Sequence, residues 1–464
     1  MAGIGFHLKR ILSEDSFSST LKAYAYSALI SSGPLLMTIG VIFCINWMSI
    51  ESLTDRELAY LKTLVTYGFA FSLVAVGPGY MAITRYLADE FYRKHTSSYT
   101  AAYFSCMALH SLVFGPLVFL YFSTLSVPFQ VKLSALLLFL FAMGTWIAML
   151  FLSAARNYML VLLAFLAGSV SSVGLAYFLG QGKGMGEYFT GFVLGQGVTF
   201  LVLSVAIVRE FGYREARDFY WLGTFKKYPF LCAMGFFYNL GIWIDKFVFW
   251  MSSESSVLDP GLRYSNIYDG PMFFAYLTVV PSMAYFLIQM ETDFFFKYSG
   301  YYRGISNQEN MDSLEKHRFR MVESLEESFK RLILFQSVIS GLSLLAVPWL
   351  VRVARLEYLH MGVLRAGILG SYLMVGYLIV LLILLYFDCQ RDAFICSLFF
   401  CATNALFTAV TLRIGLAAFG FGFAASCFVS LILAFYFLNR RLSRLHYWTF
   451  MRQPLPKAIP VVEE

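Results

Sequence analysis

Twelve apolar stretches of about 20 residues dictate what this chain can fold into. They are 23–49, 58–84, 99–122, 132–152, 158–180, 186–208, 228–251, 267–290, 331–351, 364–387, 393–412 and 416–438. Each is long enough to cross a hydrocarbon layer as a helix, and a lipid-embedded backbone must satisfy its own hydrogen bonds. Charged residues make up only 14% of the 464 residues, against 59% hydrophobic, and mean hydropathy is +0.67. A soluble domain holds near a quarter charged residues, so the expectation is an all-α polytopic membrane protein. Residues 1–22 place Ile4, Leu8, Ile11 and Leu12 at helical spacing beside Lys9 and Arg10, which reads as an amphipathic surface helix with no cleavable leader.

Basic residues set the orientation. With the N-terminus inside, the inner segments and the span ends beside them hold 25 of the 35 Lys and Arg, the outer segments with the outer span ends (Lys62, Lys132 and Arg365 among them) hold 9, and Lys246 is left over within a span. Both termini are therefore expected in the cytoplasm. The +7 net charge then belongs to inner loops such as 209–227 and 291–331, and no nucleic acid is needed to explain it.

The chain repeats itself. "VGPGYMAITRYLADEFY", Val76 to Tyr92, ends the second span, and "VVPSMAYFLIQMETDFF", Val279 to Phe295, ends the eighth. Pro78 aligns with Pro281, Glu90 with Asp293 and Phe91 with Phe294. That pattern predicts two six-helix lobes in parallel topology: an N-lobe over 23–208, a basic linker over 209–227, a C-lobe over 228–438 and a tail over 439–464. A soluble helix over about 311–331 carries Leu314, Met321, Leu325 and Phe329 on one stripe. It packs under the bundle or docks a cytoplasmic partner.

Signatures of chemistry are sparse. There is no GxxxxGK[ST] loop, no HExxH and no GxSxG, so no enzyme is expected. The six histidines have no metal-ligand spacing and the seven cysteines form no CxxC, so neither metal nor cofactor is implied. "GQGKGMG" at 180–186 reads as an inter-helix turn. Pro34, within "SSGP", and Pro78 and Pro281 each remove a helical hydrogen bond and are expected hinges, with Ser31 and Ser32 beside Pro34 as lining residues.

The least expected residues are Asp245 and Lys246, side by side in "YNLGIWIDKFVFW" (238–250). A charge at mid-membrane costs about 2.5–3.5 kcal/mol on insertion scales. Neighbours on a helix point apart, and Asp245 lies about 25 Å along the span at 1.5 Å per residue. Lys246 is therefore expected to pair or to snorkel outwards. Asp245 either lines a wet path, with Asn239, or pairs with a basic group on another helix to lock the lobes.

"MAGIGF" at the N-terminus, "AYAYSALISSGP" at 23–34 and "YNLGIWIDKFVFW" together resemble the PelG family of exopolysaccharide transport proteins, over nearly the whole chain. His7 stands where that family would be expected to have an acidic residue. The resemblance implies a MOP exporter superfamily member with two lobes and alternating access in the bacterial inner membrane. It would pass an N-acetylgalactosamine-rich Pel polymer outwards during biofilm matrix synthesis. It also implies partners: a cytoplasmic glycosyltransferase, a cyclic-di-GMP receptor and a tetratricopeptide membrane scaffold. The rival readings are a flippase of lipid-linked oligosaccharide, a cation-coupled exporter of another substrate, and a non-transporting scaffold for the glycosyltransferase.

Overall fold

Proline, amide and glycine positions decide where the helices of this protein start, break and meet. In the computed structural model the described residues are 17–50, 52–93, 98–155, 158–212, 219–354 and 357–451. The first six spans are α1 (Phe17–Met48), α2 (Asp55–Tyr92), α3 (Tyr99–Ser123), α4 (Phe129–Ala155), α5 (Tyr158–Gly180) and α6 (Met185–Phe211). A short α7 (Leu222–Lys227) leads into α8 (Pro229–Trp250), the seventh span. A hairpin follows, with β1 (Ser256–Asp259) antiparallel to β2 (Leu262–Tyr264). The eighth span is split into α9 (Asp269–Leu277) and α10 (Val280–Gln289), and a π-helical turn, Met290–Phe294, joins it to α11 (Phe295–Ser306). The last four spans lie in α12 (Met311–Val353), α13 (His360–Tyr386), α14 (Gln390–Ile414) and α15 (Phe421–Ser443), followed by α16 (Leu445–Phe450).

Among the described residues, ten helical stretches are long and apolar enough to cross a membrane. α1, apolar over Ser32–Met48, and α8, interrupted by Asp245 and Lys246, occupy the places of the first and seventh spans. Helix starts follow local chemistry. At α2, Thr54 and Glu57 form a reciprocal capping box. At α12, the Asn310 side chain accepts from the Ser313 N–H at 2.9 Å. At α8, Pro229 takes the first helical turn, where its missing N–H costs nothing.

Packing repeats across the two lobes. In the first lobe α5 packs on α6 and α1, and α4 packs on α2, α3 and α6. In the second, α14 packs on α15 and α8, and α13 packs on α9, α12 and α15. Shifting every partner by six spans maps one set onto the other. The lobe seams repeat too: α2 meets α8, and α10 meets α1. Large buried side chains fill each lobe separately, among them Phe139, Phe189 and Phe192 in the first and Tyr377, Phe400 and Phe423 in the second. The lobes are therefore two packed bodies joined along two seams.

The soluble helix expected over 311–331 is continuous with the ninth span, all within α12. Its apolar stripe belongs to the second lobe's core: Leu314, Met321 and Leu325 are buried, and Phe329 packs on Phe435 with ring centroids 5.1 Å apart. Residues 180–186 form the turn between α5 and α6, with Gly182 at φ +66°. The amphipathic segment 1–16, part of the linker (213–218) and the last tail residues (452–464) lie outside the described residues.

Candidate functional site

The seam between α2 and α8 carries an extended set of polar contacts between the lobes. Its middle is a close crossing of glycines. A Cβ on Gly77 would sit 3.0 Å from the Gly235 carbonyl oxygen and 3.0 Å from Phe236 Cα, so only glycine lets the backbones meet there. One helical turn on, Asn239 donates through Nδ2 to the Leu73 carbonyl at 2.9 Å. That carbonyl lies one residue before Val74, whose own carbonyl Pro78 cannot bond. Asn239 is buried, so this expected lining residue spends its donor on holding the lobes together.

Towards one end of the seam the β-hairpin of the second lobe docks into the first. Leu262 is fully buried and belongs to the first lobe's apolar core, as does Trp250. The Tyr67 hydroxyl donates to the Arg263 carbonyl at 2.9 Å and accepts from the Arg263 N–H at 3.3 Å. Tyr121 donates to the Gly261 carbonyl. Asp259 Oδ2 accepts from the Ser126 N–H at 2.8 Å and the Tyr60 hydroxyl at 3.4 Å. Trp250 stacks on Tyr67 with centroids 4.4 Å apart. Asp259, Pro260 and Gly261 turn the chain, and β-branched or aromatic neighbours flank them.

The opposite end of the seam is held by exposed charges. Lys227 lies 3.6 Å from Asp89, whose carboxylate also accepts from Tyr228 at 3.4 Å. Arg85 of α2 lies 3.9 Å from Asp388, between α13 and α14, with side chains 41% and 57% exposed.

Asp245 and Lys246 sit one turn before Trp250, and of pairing and snorkelling the geometry of Lys246 is that of pairing. Lys246 does not snorkel. Its ammonium is buried, 3.3 Å from both oxygens of Asp245, 3.3 Å from the Ile242 carbonyl and 3.4 Å from the Tyr276 hydroxyl. It also lies over the Tyr276 ring, 4.5 Å from its centroid. The Lys246 chain folds back towards the preceding helical turn, which brings adjacent charges together despite the angle between their Cβ vectors. Asp245 is fully buried and accepts from the Tyr268 hydroxyl at 2.8 Å. Both partners, Lys246 and Tyr268, lie in its own lobe. A paired, hydrogen-bonded charge is what a buried site tolerates.

The three expected hinge prolines are placed in two ways. Pro78 lies inside the continuous α2, and Pro34 inside the continuous α1. Pro281 does not kink a helix: it occupies the first turn of α10, after a break at Thr278 and Val279. Gln336 of α12 serves that break, donating to the Thr278 carbonyl at 3.3 Å and accepting from the Ser282 hydroxyl. Across the other seam, Ser27 of α1 donates to the Ala284 carbonyl of α10 at 2.9 Å. Ser32 is buried, and the Ser31 side chain lies outside the described ones. Sequence reasoning missed Tyr268, Asp269, Gln336 and the hairpin. The signals were there: a lone Gln in "LFQSVIS" and an Asp-Pro-Gly turn between alternating strands.

Comparison with known proteins places this architecture. The family model described as "PelG: Putative exopolysaccharide Exporter (EPS-E)" matches residues 1–450. No curated protein matches the chain. Among solved structures, an inward-facing multidrug resistance MATE transporter of the MOP superfamily aligns at TM-score 0.58 and 14% identity, covering 90% of this chain and 99% of its own. An outward-facing one aligns at 0.57 and 13%, covering 90% and 96%. A MOP superfamily transporter from Pyrococcus furiosus, whose binding pocket is described as reversed in polarity, aligns at 0.54 and 14%, covering 90% and 96%. At these identities the likeness is one of fold.

Proposed function

Because the chain belongs to the PelG family of exopolysaccharide exporters, we propose that it passes Pel-type polymer, rich in N-acetylgalactosamine, from the cytoplasm to the far side of the bacterial inner membrane. The observation that carries this reading is the pair of separately packed lobes, joined along α2–α8 and α1–α10 and clasped at one end by the hairpin. Two rigid bodies with a shared interface can rock, and rocking exposes the interface to one side at a time.

The distribution of basic residues supports an orientation. The end with Lys227, Arg85, Arg440 and Arg441 is the cytoplasmic one, and the hairpin end faces outwards. In this orientation the structure is latched against exit. Asp245 and Lys246, as a neutralised pair, sit beside the outer part of the path, and Pro34 and Pro78 give α1 and α2 the freedom to bend. Asn239, Ser31 and Ser32 lie along the same two helical seams. The cytoplasmic glycosyltransferase, the cyclic-di-GMP receptor and the tetratricopeptide scaffold are proposed as partners on the basic face. Membrane lipids surround the rest, where Leu345, Trp349 and Phe178 are exposed.

Reconstitution tests the reading. Liposomes carrying the polymer-synthesising assembly are expected to accumulate polymer inside only when this chain is present. Equal accumulation without it would show a scaffold instead of a conduit.

A further inference from the structure

The two lobes differ on the side read as cytoplasmic. In the first, only residues 93–98 separate α2 from α3. In the second, 36 residues, 295–330, stand at the matching place, since Phe91 aligns with Phe294 and the ninth span begins near Arg331. They form α11 and the first half of α12, packed against each other as a helical hairpin. Near its base the Ser324 hydroxyl donates to Asp293 at 2.5 Å, and near its tip His317 lies 3.3 Å from Glu309. α16 locks onto its side. His446 lies 3.1 Å from the Tyr301 hydroxyl through Nδ1 and 2.6 Å from Glu315 through Nε2, and Arg318 donates to the Leu442 carbonyl at 3.3 Å. The duplicated lobe architecture does not require this platform.

One face of the platform is taken and the other is open. Leu314, Met321 and Leu325 are buried in the second lobe. Phe319, on the opposite face, is 63% exposed and lines a shallow hollow with Asp312, Glu315, Lys316 and Arg320. On α16, Phe450 stacks on His446 with ring centroids 6.3 Å apart and is 47% exposed. Phe319 is one turn from Glu315 and Phe450 one turn from His446, so the two rings flank the bond that joins the helices. Lipid does not reach them. Phe319 lies 12 residues before Arg331, about 18 Å along the helix and about 14 Å deep even at a tilt of about 40°. The headgroup layer is only about 5–8 Å deep. The charges nearby have a positive surplus. Lys316, Arg320, Arg440 and Arg444 are exposed and enter no ion pair among the described residues. Asp312 and Glu323 are the exposed acids against them, while Glu315 is taken by Arg318 and His446.

The platform stands beside the inner mouth of the lobe interface. Tyr298 of α11 donates to the Tyr386 carbonyl at 3.0 Å, two residues before Asp388, which faces Arg85 of the first lobe at 3.9 Å. A polymer entering between the lobes is supplied at this point by the enzyme that extends it. We propose that Phe319 and Phe450 form the docking surface for that cytoplasmic enzyme, which contributes an amphipathic helix with an apolar stripe and acidic flanks. The stripe covers the two rings, and the flanks meet Lys316, Arg320, Arg440 and Arg444. A second copy of this chain fits poorly, because it brings the same positive surplus. An enzyme docked here releases its product at the seam between the lobes instead of into the bulk cytoplasm. The proposal rests on the orientation and the transport reading above.

The test reads binding, not transport, so its failure leaves polymer passage to be judged separately. The purified full chain in lipid nanodiscs is titrated with the purified polymer-extending glycosyltransferase of the same assembly. F319E and F450E are each expected to weaken binding about tenfold or more. K316E combined with R320E is expected to weaken it about fivefold in low salt and less in high salt. V257E, on the outer hairpin, is expected to leave it unchanged. All these positions are exposed, so thermal unfolding is expected to be the same in every variant. No binding by the wild type, or equal binding by F319E and F450E, overturns the proposal. So does a Phe319-dependent contact with another occupant: vesicles of phosphatidylglycerol, a second copy of the chain, or a peptide of residues 452–464 that displaces the enzyme.

Discussion

The two lobe seams have the same topology and different construction. Along α2–α8 a continuous proline-bearing helix crosses at paired glycines, is bonded by Asn239, and is capped by a hairpin sunk into the opposite lobe. Along α1–α10 the equivalent proline-bearing helix is broken at Thr278 and Val279 and followed by a π-helical turn, and Ser27 donates across the lobes to Ala284. In both halves a buried amide serves a carbonyl close to the proline, Asn239 for Leu73 and Gln336 for Thr278. The difference is where that amide comes from. Asn239 reaches across the lobes, so the α2 irregularity is tied into the interface. Gln336 comes from the same lobe, so the α10 break is satisfied internally and leaves its seam simpler. Internal duplication sets the path of the helices, and single polar side chains set how firmly each seam holds.

The firmest part of the α2–α8 side is the buried pair behind it. Lys246→Ala leaves Asp245 uncompensated and is expected to cost about 3–5 kcal/mol. The double change Asp245→Asn with Lys246→Met is expected to recover most of that. Thermal unfolding of the purified variants measures both, and a double variant as weak as the single one would remove the pairing argument. Next comes the clasp. Leu262→Ala empties a fully buried site and is expected to cost about 2–5 kcal/mol, with faster amide exchange confined to the hairpin. Gly235→Ala forces a methyl against the Gly77 carbonyl and is expected to cost about 1–3 kcal/mol, read as a lower melting temperature. The smallest effects separate the seams from their exposed rim. Asn239→Ala is expected to cost about 1–2 kcal/mol and Ser27→Ala about half that. Arg85→Ala removes an exposed pair and is expected to change stability by less than about 1 kcal/mol. An Arg85→Ala loss larger than that of Asn239→Ala would reverse the ranking.

Ten of the twelve expected spans were legible because lipid imposes one rule on each of them, and hydropathy reports it directly. The lobes were legible through "VGPGYMAITRYLADEFY" and its partner, since a duplicated sequence keeps its packing partners. What stayed hidden depends on side-chain direction. Depth along α8 placed Lys246 in the outer half, but whether its chain points to water or back to the Ile242 carbonyl is a rotamer decided by Asp245 and Tyr276. Pro281 was visible as a helix breaker, while the choice between kink and full break was made by Gln336, 55 residues away in the sequence. The hairpin was within reach of turn chemistry at Asp259–Gly261, but its docking depends on Tyr60, Tyr67 and Tyr121, which in the sequence look like any other aromatics among 30 tyrosines.

The central claim is that polymer leaves between the lobes and that the hairpin must release for it to do so. The Ser126 N–H lies 2.8 Å from the Asp259 carboxylate, which makes cysteines at these two positions the pair to cross-link, by a disulfide or a short bifunctional maleimide, so that the hairpin is held on the first lobe. Polymer passage through the reconstituted assembly is expected to stop when that pair is oxidised and to return on reduction, with each single cysteine variant active under both conditions. Equal passage through the oxidised and reduced protein would contradict the account.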